Sequence, residues 1–173
     1  HPRVSQYRLT AHLGTAFICY LAMFWNALSI FRENRLLANP TKSSELLKQM
    51  MAPELKFFRR SVGALLVLVF ITAMSGGLVA GLDAGLIYNE FPYMGLGLTP
   101  PKKELFDPFY SHVPDNSDLW WRNALENPSL VQLDHRILAT TTFTAVMALW
   151  AYTRFNPRVR NFMTPGAKKG MRG

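Results

Sequence analysis

Three long apolar runs divide the chain and predict its main elements. Leu9–Phe31 and Ser61–Leu82 contain no Lys, Arg, Asp or Glu, and Leu130–Thr153 contains none after its first two turns. Each run is close to the roughly 20 residues that an α-helix needs to cross the hydrocarbon core of a bilayer. We therefore predict an all-α integral membrane protein with three transmembrane helices.

The charges of the segments between these runs predict their orientation. A connection over residues 33–60 and a tail over residues 154–173 are basic, whereas the long loop over residues 83–129 has three cations and seven acidic residues. Segments rich in Lys and Arg stay on the inner side of a membrane. We predict that the connection and the tail lie inside. The N-terminus and the long loop, a cap rich in proline and aromatic residues, would lie outside.

The overall charge changes this picture little. The net charge of +8 could indicate a nucleic-acid partner, but the cations collect in the two inner segments, so we expect none. Cys19 is the single cysteine, which excludes an intrachain disulfide. Because the chain begins with His1 rather than Met, we expect it to be part of a longer protein.

The third run opens with Asp134, His135 and Arg136, which are costly at the mouth of a membrane helix unless they have partners. The residues three, four and seven positions after His135 share its helical face, and two of them are small. One interpretation is that this face leaves room for a heme, whose iron His135 binds. The other is that His135 is a polar residue that anchors the helix end at the lipid headgroups.

His12 has a similar neighbourhood near the outer end of the first run. Thr15, Ala16 and Cys19 follow it on one helical face, and Arg8 precedes it by one turn. Small residues are also common where membrane helices pack. Two helices that each begin with a histidine above small residues nevertheless favour porphyrin binding.

Arg8 and Arg136 each lie in or near the first turn of a predicted helix, where a cation opposes the helix dipole. We therefore expect each to have an anionic partner. Heme propionates at the outer surface would supply one. The alternative partners are Asp83, Asp134 or a lipid phosphate.

Glycines mark the end of the second run. Gly77, Gly81 and Gly85 are spaced by four and predict a ridge that packs closely on another helix. Asp83 is a carboxylate at the unfavourable end of the helix dipole. We expect the helix to break close to Asp83–Asn89 and to line a polar cavity, with Asn89 at its outer mouth.

Three stretches resemble heme A synthases, in particular the mitochondrial and alphaproteobacterial branch of that family. They are VSQYRLTAHL at Val4–Leu13, GLDAGLIYNEFPYMG at Gly81–Gly95 and ENPSLVQLDHRIL at Glu126–Leu138. The resemblance touches all three apolar runs, whereas the connection and the tail match only in character.

The resemblance implies a fold of eight transmembrane helices in two pseudo-repeated four-helix bundles, of which this chain is a central fragment. Residues 1–32 would be the last helix of the first bundle, and residues 61–153 the first two helices of the second. His12 and His135 would be axial ligands of two different heme irons. The other ligands and a catalytic glutamate would lie outside the chain. Further candidates for heme binding are Arg8, Arg136, Asp83 and Asn89.

The implied activity is oxidation of the C8 methyl group of heme O to the formyl group of heme A, for cytochrome c oxidase. Heme O would be the substrate and heme b the second heme. Implied partners are membrane lipid, a ferredoxin-type electron donor, and heme O synthase or oxidase-assembly factors; a homo-oligomer is compatible. The implied location is the mitochondrial inner membrane with heme sites toward the intermembrane space, or else a bacterial inner membrane.

Two other function classes stay open at this point. The chain could belong to a diheme membrane cytochrome that transfers electrons without chemistry on the porphyrin. It could also belong to a non-enzymatic heme carrier or assembly factor. Only a synthase converts heme O to heme A, so analysis of the product separates the three.

Overall fold

The computed structural model describes residues 4–162, and this part of the chain is helical. Three long helices dominate it: α1 (Gln6–Ala38), α3 (Lys56–Gly81) and α6 (Pro128–Phe155). Shorter helices are α2 (Pro40–Met50), α4 (Lys102–Leu105), α5 (Leu119–Glu126) and α7 (Pro157–Phe162), with 3-10 turns at Pro53–Leu55, Ala84–Leu86 and Pro108–Tyr110. The predicted tail therefore begins with helix, and its residues 163–173 lie outside the described part.

Proline sets the end of the first helix. α1 continues six residues beyond the predicted boundary at residue 32 and stops at Ala38. Asn39 has φ −144°, outside the helical region, and Pro40 begins α2. A proline disfavours helical geometry in the residue before it, which explains the break at this point. The connection over residues 33–60 is therefore mostly helical.

Two of the described helical segments are long and apolar enough to cross a membrane: Gln6–Ala38 and Pro53–Gly81. They contain the first two predicted spans, apart from Leu82. α6 has 28 residues, enough for a span by length, but it is less apolar because Asp134, Arg136 and five threonines interrupt it. The third span remains a prediction.

The described chain forms two compact units, and each long helix contributes a segment to both. The cap unit comprises the chain up to Ala16 together with Val69–Thr141. The apolar unit comprises Phe17–Leu68 together with the chain from Thr142 onward.

Glycines bring α1 close to α3 in the cap unit. A Cβ on Gly77 would lie 2.9 Å from Thr10 Oγ1, and one on Gly81 would lie 2.5 Å from Gln6 Cα. The close approach therefore depends on glycine, and the predicted ridge is confirmed for these two positions. It is wrong for Gly85, where an added Cβ would meet nothing within 4 Å, because α3 ends at Gly81 and Gly85 lies in the next 3-10 turn.

Buried asparagines give the long loop of the cap unit its structure. Asn123 is fully buried; its Oδ1 accepts from the Asp107 amide at 3.1 Å, and its Nδ2 donates to the carbonyls of Asp107 and Leu119. Asn127 Nδ2 donates to Asn123 Oδ1 at 2.9 Å and to the Glu104 carbonyl at 2.6 Å. These bonds tie the α4 region to α5 and to the start of α6.

The apolar unit has a small core. Leu55 and Val159 are buried together, with Phe58 and Tyr152 packed around them. Beside this core, a groove of about 490 Å³ runs between α3 and α6, lined by apolar and small residues such as Ala64 and Ala148.

Candidate heme site

His135 lies half-buried on α6 and packs on α3. Its Nδ1 is 2.7 Å from Ser75 Oγ, and Ser75 Oγ is 2.6 Å from the carbonyl oxygen of Thr72. A Cβ on Gly76 would lie 3.2 Å from His135 Cε1, closer than most real contacts of that kind. Ser75 and Gly76 therefore form a platform that fixes the position of the imidazole ring.

This arrangement fits a heme ligand. A metal-binding histidine normally uses one ring nitrogen for the metal and hydrogen-bonds through the other. Here the contact to Ser75 engages Nδ1 and leaves Nε2 as the nitrogen for an iron. The half-buried position also limits competition from water for the hydrogen bond.

Arg136, the next residue, is bound to the segment that follows α3. Its Nη2 donates to the carbonyls of Tyr88 at 3.0 Å and Glu90 at 2.7 Å, and its Nη1 donates to that of Tyr93 at 3.2 Å. Its guanidinium also lies 5.6 Å from the centre of the Phe91 ring. Three backbone carbonyls therefore bind this cation among the described residues, and the expected anionic partner stays a prediction.

Gln132 and Tyr88 connect α6 to the long loop that follows α3. Buried Gln132 donates from Nε2 to the Tyr88 carbonyl at 2.7 Å, while its Oε1 has no hydrogen-bond partner among the described residues. The Tyr88 hydroxyl donates to Glu104 Oε1 at 2.7 Å, which also accepts from Ser129 Oγ at 2.5 Å. The hydrogen bond to Glu104 raises the pKa of Tyr88 to about 12.

His12 and Arg8 lie on a different side of α1 from the helix contact. Thr10 and Gly14 meet α3, and each is two residues from His12 in sequence. Two residues correspond to about 200° around an α-helix, so His12 faces away from α3. Arg8 is one turn earlier on the same side, and both residues are exposed. The prediction that they share a helical face is confirmed.

Asp83 and Asn89 mark the two ends of the turn after α3. Asp83 has φ 50°, a left-handed conformation, and directly precedes the 3-10 turn Ala84–Leu86. Asn89 is exposed and its Nδ2 lies 3.4 Å from the Leu86 carbonyl. The predicted break of the helix close to Asp83–Asn89 is confirmed. Arg136 binds the carbonyls of the residues on either side of Asn89, so this turn lies against α6.

The N-terminus of α1 is also bound to the long loop between α3 and α6. Glu126 Oε1 accepts from the Tyr7 hydroxyl at 3.0 Å and from Arg122 Nη1 at 2.9 Å. His112 Nε2 lies 3.7 Å from the other oxygen of Glu126. Glu126 therefore joins the start of α1 to α5 and to the loop around His112.

Sequence reasoning did not identify Ser75, Gly76 or Gln132 as site residues. Ser75 is a small hydroxyl residue directly before Gly76 and Gly77, which is a weak signal. Its partner His135 is 60 positions away in sequence, so only the packing of α3 and α6 brings the two together.

Relatives with this sequence pattern are heme A synthases. The chain is 48% identical to "Heme A synthase COX15" of Saccharomyces cerevisiae over 165 residues, which cover 94% of this chain and 34% of that protein. It is 48% identical to the "Heme A synthase-mitochondrial ferredoxin fusion protein" of Schizosaccharomyces pombe, covering 89% of this chain and 26% of that protein. The bacterial "Heme A synthase" of Nitrosospira multiformis is 40% identical over 91% of this chain and 38% of its own length.

The chain thus spans about a third of the length of the curated relatives that it matches. No solved structure matches it. The sequence model of the COX15-CtaA family, described as cytochrome oxidase assembly protein, matches residues 1–168. The chain therefore belongs to the COX15-CtaA family.

Proposed function

We propose that this chain is part of a heme A synthase, which oxidises the C8 methyl group of heme O to the formyl group of heme A. The observation that carries the proposal is His135, held on Ser75 and Gly76 with Nε2 available for an iron. The similarity to heme A synthases, which extends over most of the chain, also supports the proposal.

The chain contributes one histidine to each of two hemes. His12 faces away from α3, whereas His135 packs on α3, and this difference supports two separate irons over a shared one. This arrangement fits a full-length protein of eight helices in two bundles, in which the remaining ligands and the catalytic glutamate come from other helices. Heme b, when bound, supplies a redox-active iron, and heme O is the substrate.

Arg136 organises the mouth of the second site. Its three carbonyl bonds hold the Tyr88–Tyr93 segment against α6, and they leave further guanidinium N–H groups for a heme propionate. Arg8 would have the same role beside His12, on the shared exposed face of α1. Asp83 and Asn89 would border the mouth through their position after α3.

The electron donor is a ferredoxin-type protein. The fusion of a heme A synthase with a mitochondrial ferredoxin in fission yeast supports this assignment, since fusion keeps two reaction partners together. The protein lies in an inner membrane, the mitochondrial one for a eukaryotic source. The cap unit and both hemes face the intermembrane space.

The activity is tested with the full-length protein in cells that make heme O but lack heme A synthase. We expect heme A in extracts of cells with the wild-type protein. His12→Ala and His135→Ala should each remove a different heme signal, whereas His112→Ala, a change in the loop, should leave both. A protein that binds two hemes without forming heme A would be an electron-transfer cytochrome or a non-enzymatic heme carrier, and not a synthase. Unchanged heme spectra in both ligand variants would refute the ligand assignment.

The orientation is tested by cysteine labelling in a Cys19→Ala background. Ser117→Cys in the cap and Lys42→Cys in α2 are both exposed positions. An impermeant reagent should label them from opposite sides of the inner membrane. Labelling of both from one side would contradict the orientation.

A further inference from the structure

The hydrogen bonds around Ser75 determine where the proton of the His135 ring lies. A serine hydroxyl has one proton to donate and lone pairs that accept. The carbonyl oxygen of Thr72 can only accept, and it lies 2.6 Å from Ser75 Oγ. The Ser75 hydroxyl therefore donates its proton in a hydrogen bond to the Thr72 carbonyl. In the 2.7 Å contact with His135, Ser75 Oγ must then accept, so Nδ1 carries a proton.

We propose that Ser75 is a positioning residue for the heme ligand His135. Ser75 Oγ accepts a hydrogen bond from Nδ1–H, and this bond leaves the lone pair of Nε2 for the iron. This inference rests on the proposed function, in which His135 would bind a heme iron. The His135 ring, the Ser75 hydroxyl and the Thr72 carbonyl thus form a relay of hydrogen bonds in which donation runs from α6 to α3.

The relay has two effects on the ligand. It selects the tautomer that can bind metal through Nε2, so no free energy is spent on shifting the proton when heme binds. Donation from Nδ1–H also makes the imidazole a stronger electron donor to its metal. A stronger donor stabilises ferric over ferrous iron, so the relay keeps the heme potential low.

Gly76 completes the platform by its lack of a side chain. The ring of His135 occupies the space that a Cβ at this position would need, at 3.2 Å from Cε1 and 3.8 Å from both ring nitrogens. The hydrogen bond fixes the ring by one nitrogen, and the flat surface at Gly76 fixes its rotation. The orientation of the imidazole plane is therefore set before any heme is bound.

The relay is tested in the full-length protein with Ser75→Ala, which removes the acceptor, and Ser75→Thr, which retains a hydroxyl. Ser61→Ala is the matched control, because it makes the same change on α3 about 21 Å away along the helix axis. Gly76→Ala retains the relay and crowds the ring. The readouts are heme content, the low-spin ferric resonance spectrum and the midpoint potential of the heme that His135→Ala removes.

We expect Ser75→Ala to shift the midpoint potential to a more positive value, to alter the ferric spectrum, and to weaken heme retention by about tenfold or more. Ser75→Thr should restore all three, and Ser61→Ala should resemble the wild type. Gly76→Ala should alter the ferric spectrum through a rotated ring while changing the potential less than Ser75→Ala does.

Three results would overturn the inference. A wild-type potential and spectrum in Ser75→Ala would show that the hydroxyl has no role, although loss of heme in His135→Ala would leave the proposed function intact. Loss of heme in both Ser75→Ala and Ser75→Thr would show a packing role instead of a hydrogen bond. Retention of heme in His135→Ala would remove the ligand assignment and, with it, this inference.

Discussion

The two units of the chain are stabilised by different interactions. The cap unit contains nearly all the buried polar side chains of the described residues: Asp118, Asn123, Asn127, Ser129 and Gln132. The apolar unit has a core centred on two buried residues, Leu55 and Val159, and its helices expose large side chains such as Trp25 and Leu66. Exposed apolar surface on a membrane helix is covered by lipid or by other helices.

The candidate heme-binding residues lie in the unit that buried hydrogen bonds stabilise. Buried hydrogen bonds are directional and specify a single geometry, whereas apolar contacts between helices tolerate small shifts. His135, Arg136 and their partners all lie in the cap unit. The candidate ligand His135 is thus placed where the structure is specified by hydrogen bonds. The following predictions test this comparison.

The largest effect is expected for Asn123→Ala. The variant loses the side-chain bonds to Asp107, Leu119 and Asn127, and this loss lowers the stability of the cap unit by about 3 kcal/mol. Limited proteolysis at the neighbouring Lys102 and Lys103 should become faster in the full-length protein. Asn161→Ala, at an exposed position in α7, is the control. Equal cleavage rates in the two variants would contradict the role of buried asparagines.

Replacing a glycine of α3 by alanine should have opposite effects on stability in the two units. Gly81→Ala places a Cβ 2.5 Å from the Gln6 backbone, so α1 must move, at a cost of about 1–3 kcal/mol. Gly63→Ala, in the apolar unit, meets nothing within 4 Å and should stabilise the helix by about 0.5–1 kcal/mol. Thermal denaturation in one detergent measures both. Destabilisation by Gly63→Ala of the same size would mean that a further part of the full-length protein packs there.

Tyr88→Phe tests the link between the cap and α6 with a smaller change. The variant loses the hydrogen bond to Glu104, worth about 1–2 kcal/mol for a charged acceptor. Because the pKa of Tyr88 is raised from 10.0 to about 12, its contribution is complete below pH 10 and is lost as the pH rises toward 12.

The stability of the cap unit is measured as a function of pH, by the rate of proteolysis of the full-length wild-type and Tyr88→Phe proteins. The difference between wild type and Tyr88→Phe should be constant at neutral pH and should shrink above pH 10. Tyr93→Phe removes a hydroxyl from an exposed ring and should follow the wild type. A difference that does not depend on pH would show that the Tyr88 hydroxyl is not bound to Glu104 in solution.

Much of the helical framework could be predicted from sequence, because long uncharged runs have few alternatives to helix. The runs at Leu9–Phe31, Ser61–Leu82 and Leu130–Thr153 lie within α1, α3 and α6, apart from the last residue of the second. The end of α3 near Asp83 was also predictable from the carboxylate and glycines. The helical connection around Pro40 was not, since its polar composition resembles that of a loop.

The site was less predictable, because its contacts join residues far apart in sequence. His135 and Arg136 were identifiable as costly groups at a helix mouth, but their partners Ser75 and the Tyr88 carbonyl depend on how α6 packs. Backbone carbonyls carry no sequence signal, so only charged partners were expected for Arg136. The buried asparagines were overlooked because Asn in a proline-rich segment usually indicates an exposed turn.

The smallest effect is expected for Asp118 at acid pH. Its carboxylate accepts from the Ser111 hydroxyl at 2.6 Å and from the His112 amide at 3.0 Å, and these bonds lower the pKa of Asp118 below its ordinary value. A lowered pKa in the folded state means that the contribution is present above the unfolded pKa of about 3.9 and is lost as the pH falls through the folded value. The cap of the wild-type protein should therefore lose this contribution only below about pH 4.

Asp118→Asn should lack this acid-dependent component, and Asp115→Asn, at an exposed neighbour, should retain it. Proteolysis of the cap between about pH 2 and pH 6 with an acid-active protease measures the profiles. If Asp118→Asn and the wild type lose stability in parallel, hydrogen bonds to this carboxylate do not hold the loop before α5.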